Sequence, residues 1–143
     1  MPAVFEHRHR VAAEEIDALG HANNQAYLAW MIAAAVGHST ARGWPAQRYL
    51  ALDAGWVVRR HEIEYLRPAG PGDEVLVRTW VSSLGRATSE RRYEMTRATD
   101  GVVVARGLTL WAWMDFKTGR PCRIPSDVAG AFVVTSGPTP EPA

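Results

Sequence analysis

A single cysteine, Cys122, stands in a chain of 143 residues. No intramolecular disulfide can form, and a thiolate metal site has no second sulfur to build on. Neither sign of charge is in excess: sixteen basic side chains face fifteen acidic ones, for a formal net charge of +1. A nucleic-acid partner would call for a basic stripe or a high isoelectric point, so that class is set aside. No apolar run is long enough to span a bilayer, and the opening "MPAVFEHRHRV" has no apolar signal-peptide core. These absences predict a cytoplasmic chain without a membrane partner. Also missing are an internal repeat, a linker between two domains and any G-x-S-x-G nucleophile elbow.

What is present reads as one globular domain. Hydrophobic residues make up 47% and charged ones 22%, enough apolar material for a real core. Six tryptophans are many for this length and point to a thick core, a subunit interface or an apolar pocket. Residues 4–12, "VFEHRHRVA", alternate loosely as an opening strand would. From about Asn24 to Ala41, Tyr27, Leu28, Met31, Ala34, Ala35 and His38 recur at three- and four-residue spacing, which predicts a helix. It is apolar almost all round and should be buried on most sides. Gly43 and Pro45 end it.

Four strand candidates follow: "GWVVRRHEIEYLR", "DEVLVRTWVSSL", "RATSERRYEMTRA" and "GVVVARGLTLWAWMDF". The turn signals between them, "PAGPGD", "LGR" and "ATDG", are short, and short links predict antiparallel hairpins. "SDVAGAF" suggests a last short helix with Ser126 as N-cap, and "GPTPEPA" a frayed tail, so the domain is expected over 1–136 and a flexible tail over 137–143. A helix of this length spans about 27 Å, enough to cover a five-stranded sheet. Trp56, Trp80, Trp111 and Trp113 are hard to bury together in one small monomer, which predicts self-association.

The stretch "EEIDALGHANNQAYLAW", residues 14–30, is unusual. One capping side chain suffices to start a helix, yet Asp17, Gly20, His21, Asn23 and Asn24 crowd into its entrance. Each has a plain reading: Asn23 or Asn24 as a cap, Asp17 as a solvated loop acid, Gly20 as a turn. Their ordered clustering before so apolar a helix favours chemistry.

Three segments, "DALGHANNQAYLAW", "EIEYLRPAGPGDEVLVRTWV" and "MDFKTGRPCRIP", span most of residues 10–125 in order. They resemble the hotdog-fold acyl-CoA thioesterases of the 4-hydroxybenzoyl-CoA thioesterase type. The first matches that family's D-x-x-G-H-x-N-N-x-x-Y-L signature, the second its central strand, Pro turn and Gly-Asp opening, the third its closing Thr-Gly-Arg-Pro segment. The resemblance implies an α+β hotdog fold, a five-stranded antiparallel sheet wrapped around one long central helix. It implies hydrolysis of acyl-CoA to a carboxylic acid and free CoA, with no metal or bound cofactor, in a homodimer or homotetramer with active sites at the interface. Asp17 would be general base or nucleophile. The Asn24 N–H would polarise the thioester oxygen, a donor worth about 3 kcal/mol in other enzymes. Gly20 would let the backbone approach the ligand, and His21, Asn23 and Tyr27 would shape the pocket or orient water. Many members carry Asp-Thr-Asp where this chain has Glu15-Ile16-Asp17.

Other residues divide between roles. His61 and Glu62 alternate across a strand, so one, His61 by preference, would line the partner's site, against simple pairing with Arg59 or Arg60. Arg59, Arg86 and Arg91 are candidates for the CoA phosphates, against plain solvation on the sheet. His7 and His9 read as exposed strand histidines, His38 as a cation at the helix C-terminus, and Cys122 as incidental. Rival functions are an acyl-ACP thioesterase, a non-catalytic acyl-CoA binding module and, lower, a hotdog hydratase, whose Asp/His string is absent.

Overall fold

The computed structural model describes residues 3–138. Strand β1 (Phe5–Arg10) leads through a 3-10 turn at Ala13–Glu15 into the 18-residue helix α1 (Asn24–Ala41). A short helix α2 (Ala46–Leu50) follows, then β2 (Ala54–Tyr65), β3 (Glu74–Leu84), β4 (Thr88–Arg97) and β5 (Val103–Asp115). A two-residue β6 (Arg120–Pro121) and the helix α3 (Ser126–Ala129) complete the order. The helix and the five long strands fall where the periodicity placed them. Two elements were missed. Helix α2 lies in what reads as a polar link, and β6 is hidden in the "TGRPCRIP" turn cluster, where it adds a sixth strand to the sheet.

The antiparallel sheet runs β1-β3-β4-β5-β2, with β6 beside β5. "LGR" and "ATDG" close hairpins as expected, but "PAGPGD" does not. It carries the chain from β2, at one edge, back to β3 beside β1, at the other. Helix α1 packs on β1 and β3, and its buried side chains Tyr27, Trp30, Met31 and Ala34 meet Val75, Val77, Tyr93 and Met95 of the sheet. Gly107 makes this approach possible: a Cβ there would come within 2.9 Å of the Met31 side chain. This is the α+β hotdog arrangement.

Several expectations change. Trp30, Trp44, Trp80 and Trp113 are all buried within one chain, so Trp80 and Trp113 need no partner to cover them. Exposed apolar side chains include Val57, Val58 and Tyr65 on edge strand β2, along with Leu19, Val36 and Leu50 elsewhere. Pro125, not Ser126, is the N-cap of α3, with no capping side chain. Gly137 lies against the Trp80 ring, one residue into the expected tail, while 139–143 fall outside the described residues. His38 is buried rather than a solvated C-terminal cation, and burial, with Arg91 and Arg42 beside it, lowers its pKa to about 4. His7 and His9 are half-buried, not exposed.

Candidate active site

The entrance of α1 is built by a short loop that folds back on itself. Ile16 and Ala22 form a bridge, and Asp17 N–H donates to the His21 carbonyl at 2.8 Å. Gly20, at φ +82°, takes the left-handed turn this closure demands, with its own N–H on the Asp17 carbonyl. The loop docks on the crossover through Ala22 N–H to the Ala69 carbonyl, 2.8 Å.

Within this frame the exposed Asp17 carboxylate is held by one oxygen. Its Oδ1 accepts the N–H groups of Leu19 (2.9 Å) and His21 (3.4 Å), and Oδ2 has no hydrogen-bond donor among the described residues. Asn23 is the helix cap. Its Oδ1 accepts from Ala26 N–H (2.9 Å), while its Nδ2 and backbone N–H both donate to the Glu15 carbonyl. Because the cap engages Ala26, the amide of Asn24 has no acceptor among the described residues at the mouth of an 18-residue helix, where the dipole favours negative charge. The Asn24 and His21 side chains are exposed.

Tyr27 stands on the inner wall. Its hydroxyl accepts the Ala69 N–H at 3.2 Å, and its ring meets Tyr65 edge-on at 5.1 Å and Trp30 at 4.7 Å. Burial holds its phenol above the usual range, and the nearby Asp17 charge adds to that rise. Tyr27, in the first turn of α1, thus lies within electrostatic reach of Asp17, and Tyr65 touches both Tyr27 and the Asn24 carbonyl.

The sequence reading passed over Glu15. Its Oε1 accepts from His9 Nε2 (2.6 Å) and Ala12 N–H (2.9 Å), and its Oε2 from Trp30 Nε1 (2.8 Å). With its carbonyl holding Asn23, it ties β1, the loop and α1 together. Burial pushes its carboxyl up, but the hydrogen bonds from Ala12, His9 and Trp30 outweigh that and hold it below the usual range. The capping-box spacing of Ala12 and Glu15 was the available signal, weakened because Ala12 has no capping side chain. Ile16 is half-buried against the core.

The remaining candidates lie elsewhere. His61 Nδ1 hydrogen-bonds Thr109 Oγ1 at 2.8 Å, and Thr109 in turn meets the Tyr93 hydroxyl at 2.9 Å; burial lowers the His61 pKa. Arg59 occupies a β-bulge on the exposed edge, and Arg86 is exposed at the β3–β4 turn. Arg91 departs from the expectation of a surface phosphate clamp: it is 6% exposed and donates inward to His38 and Thr79. Among the described residues no group of three or more His, Cys, Asp or Glu is placed to hold a metal, and no helix is long and apolar enough to cross a membrane.

Residues 11–132 match the Thioesterase-like superfamily. The fold is similar to that of a 1,4-dihydroxy-2-naphthoyl-CoA thioesterase from Synechocystis (TM-score 0.84, 18% identity, covering 90% of this chain and 94% of that one). It is also similar to a gentisyl-coenzyme A thioesterase (TM-score 0.80, 25% identity, covering 90% and 99%). An acyl-[acyl-carrier-protein] hydrolase of Cuphea viscosissima is 35% identical over 81 residues, 57% of this chain and 20% of the relative. The chain spans about a fifth of the length of the curated relatives it matches. With most of its length matched and its sheet, central helix and helix mouth in place, the chain belongs to the thioesterase-like superfamily and has the hotdog fold.

Proposed function

We propose that this protein hydrolyses acyl-CoA thioesters to a carboxylic acid and free CoA. The observation that carries the reading is the half-engaged Asp17 carboxylate in the loop that leads into α1, whose first amide, that of Asn24, is uncapped. Asp17 acts on the thioester carbonyl carbon either by taking a proton from an attacking water or by attacking it directly. The carbonyl oxygen gains charge at the Asn24 N–H, where the helix dipole supports it. The C–S bond then breaks and the sulfur leaves as the CoA thiol once protonated. Where water attacked, the acid is released at once; where Asp17 attacked, the acyl–Asp17 anhydride is hydrolysed by water to free the acid and restore the carboxylate. Gly20 permits the turn, Asn23 holds the helix start, and His21 and Tyr27 flank the reacting group. Arg59 and Arg86, both exposed, are available to the CoA phosphates.

The active assembly is a homodimer or homotetramer with sites at the interface. Support comes from β2, a 12-residue edge strand with exposed Val57, Val58 and Tyr65, a surface apt to be covered by another strand. His61 on that strand would then face a neighbouring mouth. The single free cysteine is in keeping with a cytoplasmic setting. A carrier-protein substrate is the second reading, favoured by the acyl-carrier-protein hydrolases among the relatives.

The test is thiol release from a panel of acyl-CoAs and acyl-ACPs by the parent and by Asp17→Asn. A loss on the order of 100-fold or more in kcat is expected for the variant. Equal rates for the two proteins would sink the assignment of Asp17, and faster turnover on acyl-ACP would move the substrate to the carrier protein.

A further inference from the structure

A cavity of about 360 Å³ lies far from the mouth of α1, between the C-terminal half of that helix, α2 and the sheet. None of Asp17, Asn24 or Tyr27 lines it. Asn24 and Ser39 sit near opposite ends of α1, about 22 Å apart at the helical rise per residue. The rim is apolar, with Leu50 72% and Val36 54% exposed, and Trp56, Trp111 and Phe132 form much of the wall.

Most of the few polar groups on that wall are satisfied by protein. Ser39 Oγ donates to the Trp44 carbonyl at 2.8 Å and takes the Tyr49 hydroxyl at 2.7 Å, and Ser89 donates to the Ser83 carbonyl at 3.0 Å. Arg91 is different. Its Nη1 donates to His38 Nδ1 (2.9 Å) and Thr79 Oγ1 (3.0 Å), and Phe132 lies 5.9 Å from its Cζ. Its Nε and Nη2 have no hydrogen-bond acceptor among the described residues and are not among the fully sealed unpartnered atoms, and Arg91 lines the cavity. No Asp or Glu there pairs with it. Among the described residues the titratable groups that bear on it are His38 and the phenols of Tyr49 and Tyr93, none of them an anion at ordinary pH. A guanidinium stays protonated, and a buried cation without an anion is costly.

We propose that this cavity binds an apolar carboxylate, its acid group on Nε and Nη2 of Arg91 and its tail between α1 and Trp56. A fork of parallel N–H donors suits a carboxylate. A cavity of about 150 Å³ holds benzene, so this one takes on the order of a dozen heavy atoms, a medium-chain or aryl acid. Such an acid fills the cavity without reaching Asp17, so the site is separate from the one proposed for hydrolysis and is read by binding alone, whether or not the chain turns over thioesters. The acid has two possible sources: a free carboxylic acid, or an acid terminus at the far end of a longer acyl thioester.

Tryptophan emission of the full chain, which includes Trp56 and Trp111 in the wall, is titrated with decanoate and with decanol. Decanoate is expected to bind at least about tenfold more tightly, and Arg91→Met to remove that preference while still binding decanol. Equal binding of the two by the parent protein overturns the proposal, as does a preference that survives in the variant. If Arg91→Met does not fold, the parent comparison decides alone, since the two ligands share one tail. Displacement of bound decanoate by octadecanedioyl-CoA, whose chain is long enough to run the length of α1, assigns the carboxylate to an acyl terminus, and failure to displace it assigns a free acid.

Discussion

The hydroxyl of Tyr65, the last residue of β2, donates a 3.0 Å hydrogen bond to the carbonyl of Asn24, the first residue of α1. Strand and helix are 41 residues apart in the chain at this contact, and the Tyr65 ring also meets Tyr27 edge-on. The exposed edge of the sheet is thereby fastened to the mouth of the buried helix. Tyr65→Phe keeps the ring and deletes the bond. Because the hydroxyl is open to solvent, thermal unfolding should register at most about 1 kcal/mol. Acyl-CoA turnover should fall further than that, because Asn24 loses one of its restraints. A rate equal to the parent's would show that the contact does not bear on the site.

Glu15 fastens the other side of the same mouth. Glu15→Ala leaves the Trp30 indole N–H and the Ala12 N–H without their acceptor and frees His9. Orphaning buried donors costs about 1–3 kcal/mol, so urea unfolding should show a loss of that size. Trp30 emission should change with it. A variant as stable as the parent would place these contacts outside the energetics of the fold.

His38 makes stability depend on acidity. Burial, then the charges of Arg91 and Arg42, lower its pKa from 6.5 to about 4. Between those values the unfolded chain binds a proton that the folded chain refuses. Stability therefore rises as pH climbs through that window and levels off above it, by an amount on the order of 3 kcal/mol. Chemical denaturation from pH 4 to 7 measures the slope, which should flatten in His38→Gln. An equally steep curve in the variant would assign the dependence to other groups.

Strand β2 tests the assembly. Val58 lies on the exposed edge, 36% accessible in a single chain. Val58→Glu should leave the monomer fold nearly unchanged yet weaken any association through this strand. Sedimentation of the parent as a dimer or larger, with the variant shifted toward monomer, is the expected result. A parent that sediments as a monomer removes the interface reading.

The helix from Asn24 to Ala41 and the five long strands are legible in the chain because each depends on neighbours within a few residues. Three- and four-residue spacing buries one stripe of α1, and alternation buries one face of β3 and β4. The crowding of Asp17, Gly20, Asn23 and Asn24 is legible for the same reason, since loop closure and capping are local. Asn23 as the cap, through Ala26, was one of two readings its position allowed. The four tryptophans were a weaker guide, because a ring's burial depends on what crosses it. Trp80 is covered by the returning segment at Gly137, which no local pattern announces.

The sequence by itself determined the long helix, the five long strands and the polar groups that stand at the head of the helix, though not the short α2 and β6. Tertiary structure alone decided that "PAGPGD" crosses from one sheet edge to the other, that Glu15 gathers His9 and Trp30, and that Arg91 turns inward to His38. The reason is physical. Each of these joins groups from different elements, and the burial that makes an unmatched charge or donor costly exists only once the sheet has closed over the helix.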